Sequence, residues 1–216
     1  MRVPLRRRDE RGASAVEFAL VAPVLILLLM GILDLAMLMK DHVSMSSSVR
    51  GGARTASAAA DAGQGTCEAS ATPPPCTPAT VPAFAQAAAD MMQRAGTAMP
   101  SDDIDWVIIY EAGANGYPIG HSDLTCGTNC VKYVWDAGLN KFRYASGTWA
   151  SASVNACVND PDRDTVGVGM QATHSWFTPI GSTILSSATQ MRERTVMQFE
   201  PLESDRCKPG TVNAHQ

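Results

Sequence analysis

The segment from Phe18 to Leu33 constrains this chain most, because its sixteen consecutive residues carry no charge. The moderately apolar stretch runs from Ala13 to Met39 and is interrupted only by Glu17 and Asp34. A helix rises about 1.5 Å per residue, so about 20 residues cross the roughly 30 Å hydrocarbon core of a bilayer. A buried helix of a soluble protein is the alternative, but such a helix normally keeps a polar face. The sequence therefore predicts a transmembrane helix over residues 13–40.

The charges are unevenly divided around this segment. Residues 1–12 hold five arginines against two acidic residues, a net charge of +3, whereas the other 204 residues carry 12 basic and 19 acidic side chains, a net charge of -7. Because basic residues flank the cytoplasmic end of a span, we expect a single-pass protein of the cytoplasmic (inner) membrane, with its amino terminus inside and its larger part extracytoplasmic. The acidic balance argues against a nucleic-acid partner.

The position of small residues distinguishes three possible fates of the amino terminus. An ordinary signal peptide has a small-residue cleavage site just after its apolar region, but Ala56-Ser57-Ala58 comes some 22 residues after Asp34. Cleavage after Gly12 would instead remove only a basic leader, residues 1–12, and leave the helix on the mature protein. An uncleaved signal anchor is the third possibility.

The order of basic leader, Gly12, four residues, Glu17, Phe18 and apolar run resembles the type IV prepilins. Within that class, ERGASAVEFALVAPVLILLLMGILDLAMLM followed by SSSVRGGARTASAAA is similar to the TadE-like family of tight-adherence (Flp) pilus pseudopilins. That family has a motif of the type A-R-x-G-A-R-x-A-A after its helix, and Val49–Ala56 matches it. The resemblance covers about residues 8–60. It is weaker in VGVGMQATHSWFTPIG and MRERTVMQFEP, and the cysteine-bearing middle departs from the short family members.

The resemblance implies a non-enzymatic minor pilin or pseudopilin that acts in pilus assembly. Its expected partners are a prepilin peptidase, other pilins or pseudopilins, a membrane assembly platform and the lipid bilayer. The peptidase would recognise Gly12, Ala13, Glu17 and Phe18 and cut after Gly12. By analogy with type IV pilins, Glu17 would then pair with the new amine of Ala13 on a neighbouring subunit. The surface pilus is an alternative destination to the membrane.

Three acidic or helix-breaking positions in the anchor have simpler interpretations. Glu17 could merely lie at headgroup level, since a carboxylate in lipid is costly. Pro23, which is expected with Glu17 to contribute to subunit packing, should kink the helix, because it lacks a backbone donor and clashes with the preceding turn. Asp34 lies about 25 Å along the helix from Glu17, which suggests a solvated helix end.

Two rival functions stay open at this point. One is a cell-envelope binding protein or enzyme that uses the helix only as a signal anchor for an extracytoplasmic, disulfide-bonded domain. The other is a structural envelope protein that never enters a filament.

Three segments with different compositions follow the anchor. Residues 41–62 are rich in Ala, Ser and Met and predict either a helical extension or a flexible stalk, with helix at least to Arg50. In this segment Arg50 and Arg54 share a face, as a solvated pair or as a contact for anionic headgroups or an acidic partner. Residues 63–82 predict a proline-rich loop. Residues 83–95 predict a helix that Gly96 ends, with an apolar stripe of Phe84, Ala87, Ala88, Met91 and Met92.

Strand patterns dominate the remainder of the chain. They predict strands at Ile104–Tyr110, Cys130–Trp135, Lys141–Tyr144 and Thr165–Phe177, and the ambiguous Ala188–Phe199 favours a strand because of its β-branched residues. The fold class is thus α+β: a transmembrane helix followed by a pilin-like extracytoplasmic head, residues 83–216, with a mostly antiparallel sheet of four or five strands and a packed helix.

All six cysteines lie beyond the predicted span: Cys67, Cys76, Cys126, Cys130, Cys157 and Cys207. An even number on the oxidising side indicates disulfides. Short loops favour Cys67 with Cys76 and Cys126 with Cys130, which would leave Cys157 with Cys207. An alternative joins Cys126 or Cys130 to Cys157.

The sequence gives little support for a catalytic or cofactor site. Phosphate-binding, nucleotide-binding, hydrolase and zincin motifs are missing, so we expect no cofactor and no catalytic residues. A zinc site at Cys126, Cys130 and Cys157 with a histidine is a weak alternative, because C-x3-C lacks a second spaced pair. The acidic clusters at 102–105 and 159–164 could hold calcium, but solvated turns are the simpler interpretation. The four histidines are scattered and indicate no site.

Overall fold

The structure, a computed structural model, describes residues 11–65, 77–94, 99–158, 160–184 and 188–203. The chain divides into two compact units. One contains the chain up to Met39 together with Ser175–Thr189, and the other contains Lys40–His174 together with the chain from Gln190. The predicted leader and the loop cysteines Cys67 and Cys76 lie outside the described residues, as does Cys207.

A single long helix, α1, runs from Arg11 to Ala58 and passes through Pro23. Its apolar first part and its Ala- and Ser-rich second part both lack the charge runs and breakers that would end a helix, apart from Pro23 and the Gly51-Gly52 pair. The helix therefore continues eight residues beyond Arg50. A flexible stalk, the alternative for this segment, is wrong as far as Ala58.

Helix α2 spans Ala83–Arg94, as its apolar periodicity predicts, but its buried face differs from the predicted stripe. Ala85 and Ala89 are buried in place of Ala87 and Met91, and Met91 is 37% exposed. The reason is the neighbour: α1 approaches this helix through Gly52, whose added Cβ would lie 2.9 Å from Met92 Cγ. A close approach of two helices favours small side chains on the facing surfaces.

The described strands form one five-stranded sheet in the order β3-β2-β1-β4-β5. They are, in chain order, β1 Ile104–Glu111, β2 Cys130–Asp136, β3 Lys141–Thr148, β4 Thr165–Ser175 and β5 Ala188–Gln198. The ladders β3–β2, β2–β1 and β1–β4 are antiparallel. The α+β prediction is confirmed, and so is the strand assignment of the ambiguous last segment.

Two strand boundaries differ from the sequence prediction by more than one residue. β3 continues past Tyr144 to Thr148, because Cys130–Thr148 to Asp136–Lys141 form one ladder with β2. β4 stops at Ser175 rather than Phe177, since Trp176 and Phe177 lead into a short helix, α3, at Pro179–Ile184. A proline at the first helical position suits a helix start, where its missing N–H is not needed.

The larger unit has a core that joins α1, α2 and one face of the sheet. Met45, Val49, Ala53 and Ala56 of α1 are fully buried in it. In α2, the Phe84 ring makes edge contacts with the Trp149 and Phe199 rings, at centroid distances of 4.9 Å and 5.2 Å. Aromatic groups in such edge-to-face geometry stabilise a core beyond their buried area.

The central strand β1 is buried on both of its faces. Ile108 and Tyr110 point away from the main core and pack with Cys130, covered by Leu124 and other residues of the β1–β2 connection. Room for these side chains comes from β4: an added Cβ at Gly167 would lie 2.3 Å from the Tyr110 ring, and one at Gly169 would lie 2.9 Å from Leu124. The Gly-x-Gly of β4 therefore serves packing. Burial raises the pKa of Tyr110 to about 12.

Candidate assembly surface and its supports

The first part of α1 presents an exposed apolar surface. Val16, Phe18, Leu20 and Leu28 are each more than 60% exposed, and this helix is long and apolar enough to cross a membrane. Among the described residues it is the one helix with this property. Water is a poor solvent for such a surface, so lipid or other apolar helices are the environment that it suits.

The predicted processing and packing residues lie at the start of this surface. Gly12, Glu17 and Phe18 are all exposed. Ala13 lies in the same helix, one turn before Glu17. No hydrogen bond or ion pair of the Glu17 carboxylate occurs within the part of the chain that the structure describes. Pro23 is exposed within the helix.

The prediction that Asp34 is a solvated helix end is wrong, because its side chain is buried and the residue is only 4% exposed. Its carboxylate accepts hydrogen bonds from the backbone N–H groups of Phe177 and Thr178, both at 3.1 Å. The Thr178 hydroxyl donates a third bond to the other carboxylate oxygen at 2.5 Å. Three donors on one carboxylate compensate its removal from water. Asp34 thus holds the segment that connects β4 to α3.

A second buried acid on α1, Asp41, pairs with His174 at the end of β4. The distance from Asp41 Oδ2 to His174 Nδ1 is 2.7 Å, and both side chains are buried. Asp103 lies nearby, and burial, reinforced by the Asp41 charge, raises its pKa above the ordinary value. The neighbouring His42 approaches Glu193 of β5 at 3.3 Å.

Sequence reasoning missed both of these acidic positions. Asp34 and Asp41 are seven residues apart, which places them two helical turns apart on one face of α1. The same spacing leads on to Ser48, which is also buried. This repeat of polar residues within an otherwise apolar helix was the available signal.

The small-residue motif after the anchor has two opposite faces. Gly52 and Ala53 are buried against the core, whereas Arg50 and Arg54 are exposed. The two arginines line a shallow groove along α1 with His42 and four residues that carry no charge, Val43, Ser46, Ser47 and Gly51. The motif therefore combines a close helix contact inside the larger unit with a basic outer surface.

The cysteine predictions are settled in part. Cys126 and Cys130 form a disulfide, so the alternative that joined either of them to Cys157 is wrong. The bond also removes both thiols from the weakly supported zinc set. Cys157 is disulfide-bonded too, but a pairing with Cys67, Cys76 or Cys207 lies outside the described residues.

The acidic clusters are held by hydrogen bonds within the protein. Asp160 accepts bonds from Asn155 Nδ2 at 2.7 Å and from the Asp162 backbone at 2.8 Å. Asp164 accepts one from the Asn155 backbone at 2.7 Å. Burial nevertheless raises the pKa of Asp164 to about 6. Across the described ranges, no group of three or more His, Cys, Asp or Glu side chains is arranged to hold a metal ion.

Comparison with known proteins identifies one part of the chain. The model of the TadE-like protein family matches residues 12–54, or 43 of the 216 residues. This match confirms the resemblance drawn from the residues themselves, and it indicates a protein associated with the tight-adherence pilus system. It begins at Gly12 and ends at Arg54, within the small-residue motif. No curated protein and no solved structure matches the chain.

Proposed function

We propose that this protein is a membrane-anchored minor pilin or pseudopilin that acts, without enzymatic activity, in the assembly of a tight-adherence (Flp-type) pilus. The observation that carries the proposal is α1 itself. One unbroken helix bears an exposed apolar surface with Glu17 in its first part and supplies core residues of an α+β unit in its second part. A subunit that must leave the bilayer and pack against other helices needs such a continuous stem.

In this proposal the anchor lies in the cytoplasmic membrane, with the amino terminus in the cytoplasm and the larger unit, here called the sheet domain, outside. The cluster of five arginines before the helix supports this orientation. The Cys126–Cys130 disulfide supports an oxidising environment for the sheet domain.

Maturation begins with a prepilin peptidase, which recognises Gly12, Ala13, Glu17 and Phe18 and cuts after Gly12. The product has a charged amine on Ala13 at the head of an apolar helix. Glu17 of one subunit then pairs with the Ala13 amine of the next. Because a carboxylate in lipid is stabilised by an opposite charge, this pairing would fix the axial register of neighbouring helices. The exposure of Glu17 supports such a role.

The other partners follow from the surfaces that remain exposed. The apolar part of α1 packs against other pilins or pseudopilins and against lipid, while the membrane assembly platform contacts the subunit as it enters the assembly. The basic groove at Arg50 and Arg54 suits an acidic partner surface.

Mass spectrometry of the amino terminus tests the proposal. The full chain is produced with and without a prepilin peptidase, beside a Gly12→Val variant that should resist cleavage and a Gly31→Ala variant that should not. Gly31 is a good control, since it lies in the same helix and an added Cβ there meets nothing within 4 Å. We expect a mature terminus at Ala13 only with the peptidase. An intact leader in its presence would favour the signal-anchored rival, and cleavage near Ala58 would indicate an ordinary signal peptide. Either result would overturn the proposal.

A further inference from the structure

The connection between β4 and β5 contacts the anchor helix. From Ser175 to Thr189 it contains no charged residue, and it belongs to the same compact unit as the first part of α1. Phe177, near its start, is 73% exposed. Together with the exposed apolar residues of α1 in the same unit, this ring suits an apolar environment.

This connection is attached to the anchor helix at one point. Asp34 accepts the three hydrogen bonds from Phe177 and Thr178 described above. An added Cβ at Gly181 would lie 2.7 Å from Asp34 Oδ2 and 2.9 Å from the Trp176 ring. The α3 backbone therefore approaches α1 about as closely as a glycine allows, and the segment is seated against the helix.

The attachment point lies within the apolar length of the helix. The uncharged run from Phe18 to Leu33 spans about 24 Å, which is shorter than the roughly 30 Å core of a bilayer. Asp34 therefore lies near the membrane boundary, with the exposed apolar residues Leu35, Met37 and Met39 still to follow. At this depth an unpaired carboxylate is costly, and the donors from the connection compensate it.

We propose that the segment Trp176–Ile184 is a second membrane contact, which lies in the interfacial zone of the leaflet beside Asp34 and is held at that depth by the Asp34 carboxylate. The inference rests on the proposed membrane anchoring. Lipid is the occupant because the exposed Phe177 belongs to the same unit as the exposed apolar surface of α1, and its backbone N–H donates to Asp34 of that helix.

The effect on the subunit would be to fix the rotation and depth of the anchor. A single helix can turn about its axis and slide in the bilayer, whereas a helix with a side contact at one level cannot do so freely. Extraction of the subunit into a filament would then require release of this second contact.

Lipid quenching of site-specific fluorophores tests the inference. The full chain is prepared with a single added cysteine at Phe177→Cys, Leu27→Cys or Leu139→Cys, labelled with an environment-sensitive dye and placed in nanodiscs. Leu27 reports on the anchor, and Leu139, 49% exposed in the β2–β3 turn, is the control outside it. Unmutated protein carried through the labelling measures the background of native thiols. Two quenchers are used, a lipid with a nitroxide near the headgroup for positions 177 and 139 and a lipid with a nitroxide deep in the acyl chain for position 27, which lies near the centre of the span.

We expect a blue-shifted emission and a large loss of fluorescence to the spin-labelled lipid at position 177, and no loss at position 139. Adding Asp34→Ala should reduce the loss at 177 but not at 27, while Asp123→Ala, a change to an exposed carboxylate elsewhere, should alter neither. Quenching at 27 without quenching at 177 would overturn the second contact and leave the anchor standing. A blue shift at 177 that grows with the number of copies per disc, without lipid quenching, would assign the surface to a second subunit and overturn it too. An unquenched position 27 would contradict the anchoring itself.

Discussion

The two parts of α1 share one helix but suit different surroundings. Before Met39 the helix is mostly apolar and exposed, with Asp34 as a buried exception. After Lys40 it buries one face of small and medium residues, such as Met45, Val49 and Ala53, and exposes a polar one. The first pattern suits lipid or other helices, and the second suits a water-soluble core. The difference shows that the environment of a helix is set by the distribution of its side chains around the axis, since backbone hydrogen bonding is the same in both parts.

The sharpest way to test this comparison is to shorten one buried and one exposed side chain of the second part. Met45→Ala should lower the free energy of unfolding of the sheet domain by about 2–5 kcal/mol, because it leaves a cavity in the core. Val43→Ala, at a position that is 66% exposed, should change it by no more than about 0.5 kcal/mol. Urea unfolding of the full chain in detergent, followed by near-ultraviolet circular dichroism, measures both. Equal effects would mean that this part of α1 is not built into the core.

A positive charge placed in each part of α1 tests whether the first part alone spans the membrane. Leu27→Arg should disfavour membrane insertion by about 2.5–3.5 kcal/mol, because a guanidinium at the centre of a span is costly. Val43→Arg should leave insertion unchanged, since that position lies beyond the apolar stretch. The fraction of the protein that stays in the membrane after alkaline extraction measures insertion. If Leu27→Arg is retained as well as the unmutated chain, the first part of α1 does not span the bilayer.

The adjacent glycines of the motif allow a finer test. At Gly52 an added side chain meets Met92, so Gly52→Val should destabilise the sheet domain by about 1–3 kcal/mol through overpacking. At Gly51 the nearest atom is Met91 Cε at 3.9 Å, so Gly51→Ala should stabilise it by about 0.5–1 kcal/mol through helix propensity. Thermal unfolding of the two variants compares them. Changes of the same sign would contradict the proposed contact between α1 and α2.

The smallest expected effect concerns pH in the sheet domain. Burial raises the pKa of Asp164 to about 6, whereas an unfolded aspartate titrates near 3.9. Between these values the folded protein holds the proton more tightly, so this group's contribution to stability is greatest below pH about 4 and decreases as the pH rises to about 6. Asp164→Asn should remove about 1 kcal/mol of this dependence, because partial exposure limits the effect. Urea midpoints of both proteins from pH 4 to 7 would show it, and parallel curves would contradict it.

Local patterns were sufficient for most of the fold, and contacts between distant residues account for the exceptions. The strands from Ile104 and Cys130 are visible because β-branched and aromatic residues cluster there. The buried face of α2 could not be predicted in this way, because alanine and methionine occur both in cores and on surfaces. The close contact with Gly52 decides which side of α2 faces α1. The end of β4 at Ser175 was missed for the same reason, because the turn into α3 depends on hydrogen bonds to Asp34, more than 140 residues earlier.

The residues of the candidate site also fall into those that local sequence patterns predict and those that depend on contacts between distant residues. Gly12, Glu17 and the motif around Gly52 were recognisable because their order along the chain carries the family pattern. Asp34 and Asp41 were not recognised, because their seven-residue spacing indicates a shared helix face but not whether that face is solvated or paired. Their partner groups lie far along the chain, as His174 does from Asp41. Only the folded contacts show that both acidic residues are buried.

Photocrosslinking from the exposed first part of α1 tests the central claim most directly. A benzophenone side chain is placed at Leu25, 52% exposed in the anchor, or at Leu139 as the control, in cells that assemble the pilus. The account predicts that Leu25 crosslinks to other pilin subunits, and that Glu17→Gln abolishes this crosslink while Glu17→Asp, which keeps the charge, retains it. Crosslinks at Leu25 to lipid alone in piliated cells, or pilin crosslinks that do not depend on the Glu17 charge, would contradict the account.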